Sequence, residues 1–318
     1  MEKKRVFLTG SELLTRSTIN WLKKVFNLVV IEYEINEVEL SGLMQIQRPV
    51  EGLIHGGATP ISDLFFKRIP QIKWNIFPGM EPFPIYNKAA LNWAKEHNIP
   101  IYPTGGGLRA VAETTCQEIS DPILIRKRAT GLGLETPFHT TDYHRLDSLA
   151  VIGQGNLAKE IFARCPHIKK FEDVCCSGRR ENPEFTKETG IPFLPVEEAF
   201  QADIVILTVA HIPGATDNYI GSDLMHRINS HGLLINNIRP QIMNLLKTFE
   251  FATDRRDVTI IIDASRTEIE REYGQEIIRA IDFCPNILLT GHTAWKKPHT
   301  RKEYSTGVRK VVDENNLA

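Results

Sequence analysis

Short apolar runs recur along the whole chain and alternate with stretches in which apolar residues repeat every three or four positions. Nearly continuous apolar runs are typical of strands that helices cover on both faces, and the intervening period is that of amphipathic helices. The second half holds six such runs, at residues 149–152, 173–177, 203–209, 232–238, 258–263 and 286–290. This alternation predicts an α/β fold of the Rossmann type, with a doubly wound parallel sheet of six strands.

The first hundred residues show the same alternation on a smaller scale. Five runs predict strands: KRVFLTG, NLVVIEY, GLIHGG, IKWNIF and NIPIYP. They predict a second, smaller α/β domain of the flavodoxin-like type. The stretch from His299 has a helical pattern and is expected to return to this domain. The predicted limits are 1–104 plus 298–318 for the smaller domain and 105–297 for the larger, with a hinge at residues 104–108.

The composition argues against several classes of protein. With 42% hydrophobic and 24% charged residues, the chain can bury a core of ordinary size. Its 38 basic and 39 acidic residues nearly cancel, whereas proteins that bind nucleic acid or membrane surfaces usually carry a basic excess. No signal peptide or membrane-spanning run is recognisable, so a cytoplasmic location is expected. The cysteines form no CxxC pair and predict reduced thiols without a metal site: Cys116, Cys165, Cys175, Cys176 and Cys284.

One turn has the pattern of a dinucleotide-binding loop. Gly153 allows the tight turn after the strand, Gly155 lets the backbone approach a pyrophosphate, and Ala158 permits close packing of helix on strand. The helix N-terminus that follows would hold the diphosphate. An ordinary strand-to-helix turn is the alternative, and the surrounding strands argue against it. The residues expected to contact the cofactor here are Gly153, Gln154, Gly155, Asn156 and Leu157.

The end of the next strand indicates which dinucleotide fits. A site for NAD carries an acidic residue there, which bonds the ribose 2′-hydroxyl. This chain has Ser177, Gly178, Arg179 and Arg180 instead. A hydroxyl and two guanidinium groups can hold a 2′-phosphate by charge-assisted bonds, which a carboxylate would repel. The sequence therefore favours NADP over NAD, although both arginines could also be solvated loop residues.

Further motifs follow one another along the second half. They are Val111-Ala112-Glu113, the glycine turn, Val209-Ala210-His211-Ile212-Pro213 with Thr216, Asn237-Ile238-Arg239-Pro240, Asp263 to Glu268, and His292 with Trp295. In this order and spacing the chain resembles the D-isomer-specific 2-hydroxyacid dehydrogenase family, which includes glyoxylate/hydroxypyruvate reductases and D-lactate and phosphoglycerate dehydrogenases. The resemblance covers most of the chain and is strongest between residues 111 and 295.

The resemblance implies a catalytic triad of Arg239, Glu268 and His292, and the chemistry of these residues agrees with it. A guanidinium can bind a carboxylate and polarise the neighbouring carbonyl in one planar grip. His292 is suited to protonate the developing alkoxide, and Glu268 to bond the imidazole. Taken singly, these residues could instead be a salt-bridge partner, a structural histidine and part of a solvated helix start.

The resemblance also implies contacts to the cofactor and the substrate. The smaller domain would bind the substrate and the larger one the dinucleotide, and relatives are commonly homodimers. Further residues expected to contact the cofactor are Val209, Ala210, His211, Pro213, Thr216, Asn237, Ile238 and Asp263. Residues expected to contact the substrate are Gly79, Met80, Arg109, Arg239 and Trp295.

The chain departs from the family's usual pattern near the triad and in the substrate loop. The usual Arg-Gly, Glu-Pro and Thr-Pro-His are here Arg239-Pro240, Glu268-Ile269 and Thr290-Gly291-His292. Residues 77–87, FPGMEPFPIYN, replace the glycine-containing loop that holds the substrate carboxylate, with Gly79 and Met80 as the nearest equivalents. Arg109 stands where smaller polar residues are usual. It would suit an additional acidic group on the substrate, or it is a surface arginine at a helix start.

These observations predict an NADPH-dependent reductase that converts a 2-keto acid to a 2-hydroxy acid. Two alternatives stay open. One is a non-catalytic dinucleotide-sensing protein of the same fold, since fold alone does not fix function. The other is an oxidoreductase of the same fold that acts on an unusual biosynthetic intermediate, as the altered substrate loop allows.

Overall fold

The computed structural model describes residues 3–33, 35–56, 60–79, 86–120, 146–212, 214–292 and 297–318. The chain divides into two compact units, Met1–Ala110 with Trp295–Ala318, and Val111–Ala294. Both units contain a parallel sheet with helices on its two sides, so the predicted fold class is confirmed. Three predicted site residues, Met80, Pro213 and Trp295, lie outside the described residues.

The first unit is built on a sheet of five parallel strands in the order β2-β1-β3-β4-β5. The strands are β1 (Arg5–Thr9), β2 (Asn27–Ile31), β3 (Gly52–His55), β4 (Trp74–Phe77) and β5 (Ile101–Pro103). The helices are α1 (Arg16–Val25), α2 (Glu37–Ile46), α3 (Asp63–Arg68), α4 (Lys88–Glu96), the start of α5 (Leu108–Ser120) and the C-terminal α13 (Pro298–Glu314).

Consecutive residues of β1 pack into different apolar clusters, because side chains of a strand alternate between the two faces of the sheet. Phe7 belongs to one cluster, and its neighbours Val6 and Leu8 belong to the other. Helix α13 contributes Val308 and Val312 to the cluster that holds Val6 and Leu8. These two residues are four positions apart and therefore lie on one face of the helix.

The second unit is built on a sheet of six parallel strands in the order β11-β10-β9-β8-β6-β7. The strands are β6 (Ser148–Ile152), β7 (Asp173–Ser177), β8 (Ile204–Leu207), β9 (Leu233–Asn236), β10 (Thr259–Ile262) and β11 (Ile287–Leu289). The helices after α5 are α6 (Asn156–Arg164), α7 (Pro183–Thr189), α8 (Val196–Ala199), α9 (Ser222–Met225), α10 (Leu245–Asp254), α11 (Arg266–Tyr273) and α12 (Gln275–Asp282).

A short extended segment lies outside β7 and completes the strand order. Phe193 forms a parallel bridge with Cys176, whose N–H donates to Pro192 O at 2.8 Å and whose carbonyl accepts from Leu194 N at 2.9 Å. If this segment is counted as a third strand, the outer half of the sheet runs from the segment through β7 to β6. This is the strand order of a dinucleotide-binding sheet. Its strand order reverses next to β6, and ligands of such sheets bind at the carboxyl ends of the strands near that point.

Several strands are shorter than the runs that predicted them, because polar residues follow each strand at its carboxyl end. The run 203–209 yields β8 over 204–207, and the run 232–238 yields β9 over 233–236. The residues left over include Thr208, Asn237 and Asp263, which are all buried. They lie at the carboxyl ends of the strands, where a ligand is expected.

The cysteines are free thiols, and Cys175 in β7 is half-buried. Within the described residues, no helix combines the length and the apolar character needed to cross a lipid bilayer.

Candidate active site

The turn between β6 and α6 leaves a helix N-terminus open to a ligand. Gly153 has a φ of +125°, and a Cβ there would lie 2.5 Å from Thr208 Oγ1, so only glycine fits. Gly155 caps α6 without a side-chain hydrogen bond, and a Cβ there would meet nothing within 4 Å. The first N–H groups of α6 therefore have no side-chain cap, and the turn leaves room beside them, which suits a pyrophosphate. Ala158, the third small residue of the motif, is fully buried against the sheet.

The loop after β7 presents two unpaired cations. Arg179 and Arg180 are exposed, and among the described residues neither guanidinium has a hydrogen bond or an ion pair. Ser177 differs from expectation in its placement, because it is fully buried and its Oγ has no hydrogen-bond partner in the described part of the chain. The loop can therefore offer its two guanidinium groups to an anion, while the Ser177 hydroxyl is enclosed.

The side chain of Gln154 does not extend into solvent but bridges two loops. Its Nε2 donates to Arg180 O at 2.9 Å, and its Oε1 accepts from Asn182 N at 2.8 Å. Gln154 thereby joins the glycine turn to the loop that carries both arginines.

Hydrogen bonds within the loop after β8 hold the backbone of the predicted cofactor contacts. Thr216 Oγ1 donates to Ala210 O at 3.1 Å. His211 Nε2 lies 2.6 Å from Asp217 Oδ1, and the other oxygen of Asp217 accepts from Gly214 N at 2.7 Å. The Gly214 N–H and the His211 ring lower the pKa of Asp217. The carboxylate is therefore a stable acceptor that fixes His211.

Side chains at the end of β9 order the turn that leads to Arg239. Asn236 Nδ2 donates to Arg239 O at 3.0 Å, and Asn236 Oδ1 accepts from Ile238 N at 3.1 Å. Asn237 is buried, and its Nδ2 donates to Thr115 Oγ1 at 2.8 Å on α5. The amide nitrogen of Asn237 is thus engaged inside the protein, while Asn236 supports the backbone of Arg239.

The proline after Arg239 gives a physical reason for the departure from Arg-Gly. Arg239 is extended, with φ −133° and ψ 134°, and Pro240 begins the short 3₁₀ helix Pro240–Ile242. A residue before proline is restricted to extended conformations, and proline is favoured at the first position of a helix. Pro240 therefore stiffens the backbone that carries the guanidinium.

Glu268 and His292 form a hydrogen-bonded pair. His292 Nδ1 lies 2.7 Å from Glu268 Oε1, and the two side chains are 30% and 28% exposed. Glu268 is also part of a capping box at the start of α11, where its Oε2 accepts from Ser265 N at 2.7 Å. The helix start thus fixes the carboxylate, and the carboxylate fixes the ring, so that Nε2 is the ring atom left to act on a ligand.

The backbone before His292 is unusual. Gly291 and His292 have φ values of +83° and +52°, which place both in the left-handed region. Proline is held near φ −65°, so the family's Thr-Pro-His could not adopt this path, and Gly291 explains the departure. The Thr290 hydroxyl bonds to the buried Asp263 carboxylate, and Gly291 N donates to Ala264 O at 3.1 Å. A left-handed histidine costs on the order of 1 kcal/mol, which the contact with Glu268 offsets.

The electrostatic surroundings keep Glu268 ionised. Burial by itself would raise the pKa of Glu268, but the hydrogen bond and charge of His292, together with the Ser265 N–H and hydroxyl, lower it to about 2. An ionised carboxylate 2.7 Å from an imidazole stabilises a positive charge on that ring. The His292 ring is therefore held by a fixed anion.

In Glu268→Gln, the free energy of unfolding is expected to fall less steeply as the pH is lowered into the acid range. Because the folded-state pKa of about 2 lies below the ordinary glutamate pKa of 4.5, the ionised group stabilises the fold fully above about pH 4.5. That stabilisation, roughly 3 kcal/mol at most, is lost as the pH falls towards 2. Urea unfolding at stepped pH should show a shallower decline for Glu268→Gln. The control is the exposed Glu270→Gln on the same helix, and equal slopes in wild type and Glu268→Gln would contradict the assignment.

One acidic residue of the site was not predicted from the sequence. Glu272 lies four positions after Glu268 on α11, and its carboxylate bonds to Gln241. Burial raises the pKa of Glu272, the charges of Arg271, Arg239 and His211 lower it, and the charge of Glu268 raises it. These groups therefore form one charged cluster. The i, i+4 spacing from Glu268 was the available signal, because it places both carboxylates on one helix face.

The other unit contains the remaining described residues that were expected to bind substrate. Gly79 follows β4, and its N–H donates to Thr104 Oγ1 at 3.3 Å. A Cβ on Gly79 would lie 2.3 Å from the Phe77 ring, so a side chain there would displace that ring. Arg109 lies in the first turn of α5. Their roles toward a substrate stay predictions.

Comparisons with known proteins show that solved structures share this α/β fold. No family model matches the chain, and no curated protein matches it. Solved structures do match over nearly the full length. An acyclic imino acid reductase in complex with NADPH and D-Arg has a TM-score of 0.76 at 16% identity, over 99% of this chain and 97% of that one.

Two further structures give the same result. D-mandelate dehydrogenase from Rhodotorula graminis has a TM-score of 0.77 at 16% identity, over 98% of this chain and 94% of that one. D-lactate dehydrogenase from Aquifex aeolicus, complexed with NAD and lactic acid, has a TM-score of 0.74 at 17% identity, over 97% and 94%. At these identities the likeness establishes the fold, and the fold implied by the sequence resemblance is confirmed.

Proposed function

We propose that this protein is an NADPH-dependent reductase that converts a 2-keto acid to a 2-hydroxy acid. The observation that carries the proposal is the His292–Glu268 pair, 2.7 Å apart, in one charged cluster with Arg239. A sensor of dinucleotides has no need of a proton donor held in this way. Several solved structures of the same fold are named as dehydrogenases or reductases of hydroxy, keto or imino acids.

The glycine turn and the arginine loop fit a dinucleotide that carries a 2′-phosphate. The open N-terminus of α6 suits the pyrophosphate, and the unpaired Arg179 and Arg180 suit the phosphate on the ribose. When bound, the reduced nicotinamide supplies a hydride to the substrate's C2 carbon. The position directly after β7, which carries the acidic residue of an NAD site, is occupied here by Gly178 and Arg179.

The residues of the cluster divide the remaining chemistry between them. The Arg239 guanidinium would bind the substrate carboxylate with two parallel bonds and polarise the keto group. His292 Nε2 would donate a proton to the oxygen that becomes the hydroxyl. Glu268 would hold the ring by Nδ1 and stabilise its charged form before that transfer.

A 2-imino acid is the second candidate substrate. The specific observation is Glu272, a second carboxylate in the cluster beside Arg239 and Glu268. An iminium nitrogen carries positive charge, which two nearby carboxylates favour more than a neutral carbonyl. The imino acid reductase with the same fold supports this candidate.

A screen of 2-keto acids that differ in size and charge tests the proposal, with loss of NADPH absorbance as the measurement. Each acid is assayed alone and with ammonium or an alkylamine, so that keto and imino reduction are separated. Turnover of at least one keto acid without amine supports the main proposal, and turnover only with amine supports the second. Tight binding of NADPH without turnover of any acid would favour the non-catalytic alternative.

Arg179→Ala and Arg180→Ala are expected to weaken NADPH binding selectively. Each removes a charge-assisted hydrogen bond to the 2′-phosphate, which corresponds to about ten- to a hundredfold in Kd. The Kd of NADH, which lacks that phosphate, should change less than about twofold. The control is Arg256→Ala, at an exposed arginine that precedes β10 on the side of the amino ends of the strands. Equal or better efficiency of the wild type with NADH would overturn the choice of cofactor.

A further inference from the structure

Gln154 occupies the position between the two glycines of the turn, yet both ends of its amide are taken up by the neighbouring loop. Nε2 donates to Arg180 O at 2.9 Å, and Oε1 accepts from Asn182 N at 2.8 Å. Gly178 leaves room for this contact, since a Cβ there would approach Gln154 Nε2 to 3.1 Å. The contact is thus a two-point link between separate parts of the chain, 26 and 28 residues apart in sequence.

The arginine loop has fixed ends and few other restraints in between. Ser177 ends β7 and is fully buried, and Asn182 caps α7 by accepting from Glu184 N and Phe185 N. Residues 179–181 between them are exposed. Within the described residues, Gln154 is the one side chain from outside the loop that bonds the backbone of residues 178–182.

We infer that Gln154 is a positioning residue for cofactor selection, which holds Arg179 and Arg180 at a fixed distance from the pyrophosphate turn. This inference rests on the proposed use of NADPH. The two phosphate sites of one ligand must be correctly spaced at the same time, and a loop already fixed in place loses less conformational freedom on binding. Two bonds to the loop backbone, one on each side of Glu181, supply that restraint without contact between Gln154 and the 2′-phosphate.

Two variants separate the restraint from simple folding. Gln154→Met keeps the length of the side chain and removes both bonds. Gln154→Glu keeps an acceptor for Asn182 N but loses the donor to Arg180 O, and it brings a negative charge to the loop. Gln201→Met, at an exposed glutamine before β8, is the matched control. Thermal unfolding of each variant shows that the fold is retained.

The probes are 2′,5′-ADP and 5′-ADP, which differ in the 2′-phosphate, and their dissociation constants are measured by calorimetry. Gln154→Met should weaken 2′,5′-ADP about tenfold and 5′-ADP less than about twofold. Gln154→Glu should weaken 2′,5′-ADP further, because the carboxylate repels the phosphate. Hydrogen exchange gives an independent readout: the Asn182 amide should exchange faster in Gln154→Met and stay protected in Gln154→Glu.

The outcomes distinguish this inference from the proposed function. If the wild type binds 2′,5′-ADP no better than 5′-ADP, the choice of NADPH is wrong, and the role of Gln154 in selecting it is wrong with it. If the wild type prefers 2′,5′-ADP and Gln154→Met retains the full preference, the choice of NADPH stands and the positioning role is overturned. An equal loss of affinity for both probes would also overturn it, since that result indicates damage to the pyrophosphate turn.

Discussion

Replacing His292 by alanine is expected to lower kcat by roughly a hundred- to ten-thousandfold, the range that a positioned general acid contributes. The Kd of NADPH should stay within about twofold, because among the described residues no hydrogen bond joins His292 to the glycine turn or the arginine loop. Stopped-flow measurement of hydride transfer, together with fluorescence titration of the cofactor, separates the two quantities. The control is His226→Ala at an exposed histidine that precedes β9, on the side of the amino ends of the strands.

The pairing with Glu268 sharpens the expected result for His292. If the ring acts as the proton donor, Glu268→Gln should also lower kcat but less than the loss of the ring itself, because a neutral amide can still orient Nδ1. The double variant should then be no slower than His292→Ala alone, since Glu268 acts through the ring. Near-normal turnover of His292→Ala, or losses that add in the double variant, would refute the role assigned to this pair.

The sheets could be predicted from the sequence because their determinants are local. In β6, Leu149 and Val151 pack in one apolar cluster and Ala150 and Ile152 in another, so every position must be apolar and the run is visible without the fold. The glycine turn could be predicted for a similar reason. The φ of +125° at Gly153 and the contact with Thr208 admit no side chain, which leaves a trace in the sequence itself.

Structural features that depend on contacts between distant parts of the chain could not be predicted from the sequence. The bridge from Gln154 to residues 180–182 exists only because β6 and β7 are neighbours in the sheet. The burial of Ser177 could not be inferred either, because a serine at a strand end is as often exposed. Phe193 was missed as a strand position because a single bridge leaves no run of apolar residues.

Glu268 shows how one residue can satisfy two interpretations of a sequence. The run TEIERE is typical of a solvated helix start, and Glu268 does occupy the third position of α11 in a capping box with Ser265. The same carboxylate also contacts His292, which is 24 residues away in sequence. Ile269, where the family has proline, is fully buried and anchors this first turn of the helix. The local sequence pattern predicted the helix start. Only the folded structure showed that the Glu268 carboxylate contacts His292.

Arg239→Lys is expected to lower kcat/KM for the keto acid about a hundred- to a thousandfold, as for removal of one fixed donor at a developing charge. Lysine retains the positive charge but cannot form two parallel bonds to a carboxylate, and its compact ammonium is drawn to nearby acidic groups. Glu272 and Glu268 lie in the same charged cluster as Arg239 and would attract the ammonium group of the introduced lysine. The exposed Arg227→Lys is the control, and the Kd of NADPH should be unchanged in both variants.

A comparison of substrates shows whether the lost interaction is the grip on the carboxylate. The wild type should strongly prefer a 2-keto acid to the matching 2-keto amide, since the amide offers no anion for the guanidinium. In Arg239→Lys this preference should shrink, because the ammonium interacts with the acid as a single point charge. If the preference is retained while kcat falls, Arg239 acts on the carbonyl rather than on the carboxylate. If Arg239→Lys keeps activity within about twofold of the wild type, a point charge is sufficient and the planar grip is refuted.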